Sequence, residues 1–328
     1  MIFVIYILLA LGVIVFSVKL SFYVDELDKK TNVSGAFLGG VMLAAVTSLP
    51  ELFTSIASTI FLDDVNLVYG NILGSNIFNL TIYGCLVLAS TKAFNKAKVT
   101  SSHRNTLKLL LIMYGIIFTA NLIDRDFTFF GVSFFSIAIL VLYLKGAKKM
   151  SIDESSEGEE KSSSKLTVKQ ILIRFTFLSV GLIICSICIT MVTDEIARQL
   201  NLGVTLAGAL LLGIATSLPE LTSSIALVKK GNFNAMTGNI LGSNLFNCGI
   251  LFLVDIMYIK GSLYQSSTQQ GFLLIIFGFI CTIVTYGMLK IKYELGKTTE
   301  NTKGSSIPYA LASLTIVLSY ITYVIMSI

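Results

Sequence analysis

The feature that most constrains this chain is a doubled pair of motifs set in apolar surroundings. TSLPEL at 47–52 recurs at 216–221, and GNILGSNIFN at 70–79 recurs as GNILGSNLFN at 238–247 with one substitution. Each TSLPEL places a proline and a glutamate inside a stretch that otherwise reads as a membrane-crossing helix. A mid-helix proline leaves a backbone carbonyl without its donor, and a carboxylate in hydrocarbon costs several kcal/mol. A chain that accepts both costs twice, at matched positions, has a use for them.

The rest of the sequence supplies the membrane. Of its 328 residues 54% are hydrophobic and 13% charged, with mean hydropathy +0.82, a balance that leaves too few polar side chains to cover a soluble domain. Because a helix needs about 20 apolar residues to cross the hydrocarbon, the sequence reads as ten spans: 2–22, 34–61, 66–90, 106–121, 127–145, 168–191, 203–228, 233–256, 270–290 and 307–327. The first span lacks the basic leader and small-residue cleavage site of a secretory signal, so it is expected to belong to the mature fold. No polar stretch is long enough to form a soluble domain behind an anchor.

The motifs fall in the second and third spans of each half. Five is odd, so the second half is expected to enter the membrane from the opposite side, as an inverted repeat. The expected fold is therefore all-α and polytopic: ten transmembrane helices in two inverted five-helix halves, with helices 2 and 7 interrupted. The halves are 1–146 and 168–328, with the repeats proper at 38–80 and 207–248. Residues 147–167, AKKMSIDESSEGEEKSSSKLT, join them and read as a disordered linker; their acidic run has neither the spacing nor the glycine of an EF-hand loop. All but three of the 24 basic residues (Arg125, Arg198 and Lys260) fall on the linker side. The positive-inside rule makes that face cytoplasmic, with both termini outside. The protein is thus expected in the cell membrane, and its net charge of +5 reports topology rather than a nucleic-acid partner. Cys85, Cys185, Cys188, Cys248 and Cys281 all lie in apolar spans and read as small helix residues, CSIC at 185–188 included. The sole histidine, His103, reads as a solvated loop residue.

Glu51 and Glu220 are the only two of 19 acidic residues near the middle of a span. An intramembrane carboxylate needs a partner, and the spans offer no lysine, arginine or histidine to either, so a bound cation or a proton is the natural one. Pro50 cannot donate to the Val46 carbonyl, nor Pro219 to that of Ala215, and the carbonyls of Thr47 and Thr216 are candidates to leave the helical ladder with them. Irregular backbone at membrane depth is tolerated where it lines a cavity, and duplicated interrupted segments in inverted halves point to a transporter's midplane site. Calcium takes about 6–8 oxygens; two bidentate carboxylates and two carbonyls give six. The hydroxyls of Ser48, Ser75, Ser217 and Ser243 and the amides of Asn79 and Asn247 offer neutral oxygens besides. Gly70, Gly74, Gly238 and Gly242 suit close helix approach.

Several readings share these residues. The same glutamates could take protons in a calcium/proton antiporter, and manganese uses similar oxygens. A passive cation channel would more naturally repeat around a central pore. An enzyme is not expected, because no histidine or paired aspartate stands in the spans.

The repeated TSLPE followed by GNILGSN closely resembles the two alpha-repeats of the cation/calcium antiporter superfamily, and the ten-span layout resembles its prokaryotic sodium/calcium exchangers. The resemblance covers nearly all of the membrane part. It implies exchange of Ca²⁺ for Na⁺ by alternating access, with these ions as substrates, no cofactor, and the lipid bilayer as surroundings. Glu51 and Glu220 would coordinate Ca²⁺ and share Na⁺; Thr47 and Thr216 would contribute carbonyls; Ser48, Ser75, Ser217 and Ser243 would help hold Na⁺; Ala44 and Gly213 would offer backbone oxygens. The first and sixth spans resemble the long tilted helices that slide across the core in this family. Val46 and Ala215 stand where the family often has glycine. Asn79 and Asn247 match the potassium-independent exchangers, where other members carry aspartate in the second repeat. Two carboxylates set a site charge of −2, so exchange of one Ca²⁺ for three Na⁺ would be electrogenic. One chain holds a complete site, so a monomer is the expected working unit.

Overall fold

The computed structural model describes residues 1–30, 43–123, 127–154, 166–261, 263–264, 268–298 and 306–328. The described chain is almost wholly helical. In order it comprises α1 (Ile2–Lys30), α2 (Leu43–Thr47), α3 (Leu49–Ala57) continued by a π-helical turn (Ser58–Leu62), α4 (Val65–Ala89), α5 (Thr91–Lys96), α6 (Ser102–Leu122), a two-stranded hairpin, α7 (Phe134–Glu154), α8 (Val168–Gln199), α9 (Val204–Ala207) continued by a second π-helical turn (Gly208–Leu212), α10 (Gly213–Lys229), α11 (Phe233–Met257), α12 (Gln269–Thr298) and α13 (Ile307–Ser327).

Among the described residues, eight helical segments are long and apolar enough to cross a membrane, and they correspond to the expected first, third, fourth and sixth to tenth spans. The expected second span appears as α2, α3 and the π turn; its first nine residues, and with them the start of the first repeat at 38, lie outside the described residues. So does most of the 147–167 linker. The expected fifth span starts later than its sequence suggests. Residues 127–133 form a hairpin instead, pairing Thr128 with Ser133 and Phe129 with Val132 around a Phe130–Gly131 turn with φ of 51° and 81°. Two successive positive φ values define the tight turn that matches strand twist. The Asp255 carboxylate holds the hairpin by accepting from the Ser133 N–H at 2.8 Å.

Burial separates two groups of helices. α4 and α11, which carry the GNILGSN motifs, are 72% buried over their apolar windows, against 11% for the first span and 22% for α8. A helix apolar on every side belongs in a core, and the glycines let these two enter it. A Cβ at Gly74 would stand 2.5 Å from the Ala209 Cα, and one at Gly208 would stand 2.7 Å from the Leu67 carbonyl oxygen. α4 thus lies backbone to backbone along the second π turn. α1 and α8 pair with each other outside this core, burying Val13, Leu20, Leu182 and Ile189 together with Val46 and Leu212. Local signals set the ends: Asp64 caps α4 by accepting from the N–H groups of Asn66 and Leu67 at 2.9 and 3.2 Å, and Thr167 with Gln170 forms a capping box on α8.

Candidate functional site

The two TSLPEL segments meet at the centre of the core, and the same residues reach it by different backbones. In the first, Ser48 leaves helical geometry (φ −93°, ψ 10°) and separates α2 from α3, with Pro50 and Glu51 in the first turn of α3. The helix is therefore interrupted two residues ahead of the proline. In the second, α10 runs unbroken from Gly213 to Lys229 with Pro219 inside it. The expected interruption at Pro219 is absent; the irregular stretch of this span is the π turn at Gly208–Leu212, upstream of the motif.

Glu51 and Glu220 are both fully buried. Each receives a hydroxyl from the opposite motif: the Ser48 hydroxyl donates to Glu220 Oε1 and the Ser217 hydroxyl to Glu51 Oε1, both at 3.3 Å. Ser243 adds a second donor to Glu220 Oε1 at 3.1 Å and lies 3.2 Å from the Thr47 hydroxyl. Across the pseudo-symmetric site, Ser75 lies 3.3 Å from the Thr216 hydroxyl and donates to the Gly213 carbonyl at 3.4 Å. The Ala44 carbonyl accepts from the Thr47 hydroxyl and the Ser48 N–H, both at 3.1 Å. Ten of the twelve residues singled out in the sequence are brought together by these contacts, the Ala44 and Gly213 carbonyls already serving hydroxyls; Asn79 and Asn247, also buried, bond instead to Asn244 and Asn76.

The second oxygen of each carboxylate, Oε2 of Glu51 and of Glu220, is buried and without a hydrogen-bond partner among the described residues, and so are Oδ1 of Asn79 and of Asn247. Among the described residues no ion pair reaches either glutamate; the two salt bridges, Arg198–Asp194 and Lys260–Asp63, lie elsewhere. Leaving one buried acceptor unsatisfied costs about 1–3 kcal/mol, more for a charged group. The two carboxylate oxygens, with matched pairs of asparagine oxygens on Asn79 and Asn247 and on Asn71 and Asn239, make a demand for positive charge, met by a cation or by protons on the carboxylates.

Outside these twelve, the structure adds residues that the sequence motifs contained without singling out. The Asn71 amide donates to the Glu51 carbonyl and to the hydroxyls of Thr54 and Ser55 at 3.1, 2.8 and 2.9 Å. Its counterpart Asn239 donates to Ser223 and Ser224, and Ser223 in turn donates to the Glu220 carbonyl at 3.1 Å. Their presence in both copies of GNILGSN was the available signal. His103 is corrected outright: it is buried in the first turn of α6, with Nε2 2.9 Å from Asn234 Oδ1. Cys185 and Cys188 are free thiols on α8, as read.

Fold and site together define a multi-pass membrane transporter with a buried, acidic, oxygen-lined centre. The sodium/calcium exchanger protein family model matches residues 1–150 and 171–328, and the chain belongs to that family, within the cation/calcium antiporter superfamily. The inner membrane protein YrbG of Escherichia coli is 25% identical over 281 residues, 80% of this chain and 83% of the relative. The putative antiporter CaxA of Alkalimonas amylolytica is 25% identical over 300 residues, 89% and 90% of the two chains. Among solved structures, the H⁺/Ca²⁺ exchanger CAX shares the fold with a TM-score of 0.71 at 16% identity, covering 99% of this chain and 90% of that one. The sodium-calcium exchanger NCX_Mj does so with a TM-score of 0.60 at 21% identity, covering 99% and 97%.

Proposed function

We propose that this protein exchanges Ca²⁺ for Na⁺ across the cell membrane by alternating access, electrogenically and without need of K⁺. The observation that carries the reading is the set of four unpartnered buried oxygens on Glu51, Glu220, Asn79 and Asn247, bordered by serine and threonine hydroxyls and by no basic side chain among the described residues. Two carboxylates balance one Ca²⁺. The neutral oxygens of Ser48, Ser75, Ser217, Ser243, Asn79 and Asn247, with the carbonyls of Thr47, Thr216, Ala44 and Gly213, extend the set to the coordination number that Ca²⁺ prefers and provide for several Na⁺ when it leaves.

The architecture that suits this is the ten-span inverted repeat, with both termini outside, the 147–167 linker cytoplasmic, and a single chain as the working unit. The opposed courses of the two motif-bearing spans support it. Gly70 to Ser75 of α4 meet residues 205 to 216 in rising order, and α4 starts at the end where the second span stops. α1 and α8, paired with each other and less buried than the core, are suited to slide across it.

The test is uptake of radioactive Ca²⁺ into proteoliposomes loaded with Na⁺, against K⁺-loaded vesicles and vesicles with an imposed pH gradient. The expected result is uptake driven by the outward Na⁺ gradient alone and accelerated by an inside-positive potential, because positive charge leaves the vesicle on each cycle. Uptake driven by the pH gradient alone would assign the same two carboxylates to proton exchange. Uptake with no counter-ion gradient would make the protein a channel.

A further inference from the structure

Asn79 and Asn247 can serve a cation only through Oδ1, because the other face of a side-chain amide presents N–H groups that repel it. What fixes that choice lies one turn earlier. The Asn79 Nδ2 donates to Asn244 Oδ1 at 3.0 Å, and the Asn247 Nδ2 donates to Asn76 Oδ1 at 3.1 Å. Asn76 and Asn244 are themselves held by the main chain across the interface between α4 and α11: the Asn244 Nδ2 donates to the Asn76 carbonyl at 3.0 Å, and the Asn76 Nδ2 donates to the Asn244 carbonyl at 3.4 Å. A further contact of 3.4 Å runs from the Asn76 Nδ2 to the Cys248 sulfur.

The order of these bonds has a direction. A main-chain carbonyl can only accept, so Asn76 and Asn244 must turn their Nδ2 groups toward it. That turns their Oδ1 atoms toward Asn247 and Asn79, which must answer with Nδ2. Their own oxygens are then left facing away from the brace, buried and unpartnered. Asn79 follows Ser75 by four residues and Asn247 follows Ser243 by four, so each shares a helix face with a hydroxyl already at the site. All four asparagines are buried, with Asn244 the most exposed at 1%, and flipping one amide would set two N–H groups or two oxygens against each other in a low-dielectric core.

We propose that Asn76 and Asn244 are positioning residues for cation selectivity: a chain of four amides, anchored at its middle on two backbone carbonyls, that holds Asn79 and Asn247 at its ends as oxygen donors toward the transported ion. The proposal rests on the ion-binding reading of the site given above. It also ties the two halves together at the level where the ion sits.

The test is a double-mutant cycle between the positioning residue and the ligand it orients. Asn244→Leu removes the acceptor while keeping the volume; Asn79→Asp removes the need for orientation, since a carboxylate presents oxygen whichever way it turns. The four proteins, purified in detergent, are titrated with Ca²⁺, Na⁺ and Mn²⁺ separately, reading the ion-dependent rise in Tm, and Ca²⁺ half-saturation of uptake is measured in proteoliposomes. With Asn79 in place, Asn244→Leu is expected to weaken ion binding tenfold or more. In the Asn79→Asp background it is expected to cause no weakening, because the oxygen-to-oxygen contact between the introduced carboxylate and the Asn244 amide is relieved. Equal weakening in both backgrounds would reduce Asn244 to a packing role and overturn the proposal, as would unchanged binding in the first. Asn244→Ala stands in if the leucine variant yields no folded protein, and Asn76→Leu with Asn247→Asp repeats the cycle from the other half. A wild-type protein that responds to Na⁺ or Mn²⁺ and not to Ca²⁺ would overturn the calcium assignment, while the coupling still decides the brace. No response to any of the three ions would overturn both.

Discussion

The two TSLPEL segments carry the same six residues on unlike backbones. Around Ser48 the helix breaks and restarts, while around Ser217 it continues through Pro219. After the motif they differ too: the first span passes into a π-helical turn (Ser58–Leu62), whereas the second stays α-helical to Lys229. Yet one contact is kept, Ser48 and Ser217 each reaching the opposite glutamate at the same 3.3 Å, although Ser243 donates to Glu220 where Ser75 donates to the Gly213 carbonyl. The serine-to-glutamate exchange between the motifs obeys the repeat; the backbone that presents it does not. In the exchange proposed above the ion would meet mainly side-chain oxygens, so the symmetric contact lies where that chemistry needs it, and the halves are free to differ in how they bend.

If the side chains are symmetric in function as in contact, Glu51→Gln and Glu220→Gln must fail alike. Unpairing a buried charge costs about 3–5 kcal/mol, and each about 1.4 kcal/mol is tenfold, so each variant is expected to lose Na⁺-driven Ca²⁺ uptake by about a hundredfold or more. A variant that kept half of its activity would break the symmetry and leave the other glutamate as sole anionic ligand. Asn247→Asp, by contrast, adds a third carboxylate and removes the donor to Asn76. It is expected to alter ion dependence, adding K⁺ sensitivity; an unchanged ion profile would remove Asn247 from the ligand set.

Packing offers a second way to separate the halves. The Cβ of Gly74→Ala would run into the backbone of the second π turn, 2.5 Å from the Ala209 Cα, whereas that of Gly242→Ala would meet the Ala44 Cβ and the flexible end of Met150, both at 2.9 Å. Overpacking costs about 1–3 kcal/mol where neighbours cannot give way. Gly74→Ala is therefore expected to lower Tm clearly more than Gly242→Ala, and the reverse order would show that the second π turn yields more readily than a side chain.

Much of this was legible in the sequence, for a definite reason. Glu51 and Glu220 stand out because everything around them is apolar, and Ser75, Ser243, Asn79 and Asn247 because they recur in register. What could not be read was decided by neighbours rather than by local composition. TSLPEL does not say whether its helix breaks: the same six residues sit across a break at Ser48 in one copy and in a continuous helix in the other. In TFFGVS the apolar residues hid a turn whose only marker was Gly131, and the fifth span was read as starting seven residues early. His103 looked solvated because its partner, Asn234, lies 131 positions away. The four-amide chain was invisible for the same reason, since the repeat showed that Asn76 and Asn244 matched but not that they touched.

The prolines give the finest test of the comparison. Alanine at 50 restores the N–H that Pro50 lacks, allowing a bond to the Val46 carbonyl and favouring a regular helix through Ser48, which would withdraw the Ser48 hydroxyl from Glu220. Alanine at 219 restores the corresponding donor in a helix that is already continuous, so Ser217 has no reason to move. Pro50→Ala is accordingly expected to reduce Ca²⁺ uptake severalfold while Pro219→Ala stays near wild type, both measured at equal amounts of reconstituted protein. Equal losses would mean that the break at Ser48 carries no function of its own, and that both helices need only the rigidity proline brings. A larger loss at 219 would place the moving backbone in α10, and with it the half of the molecule that bends when the ion is exchanged.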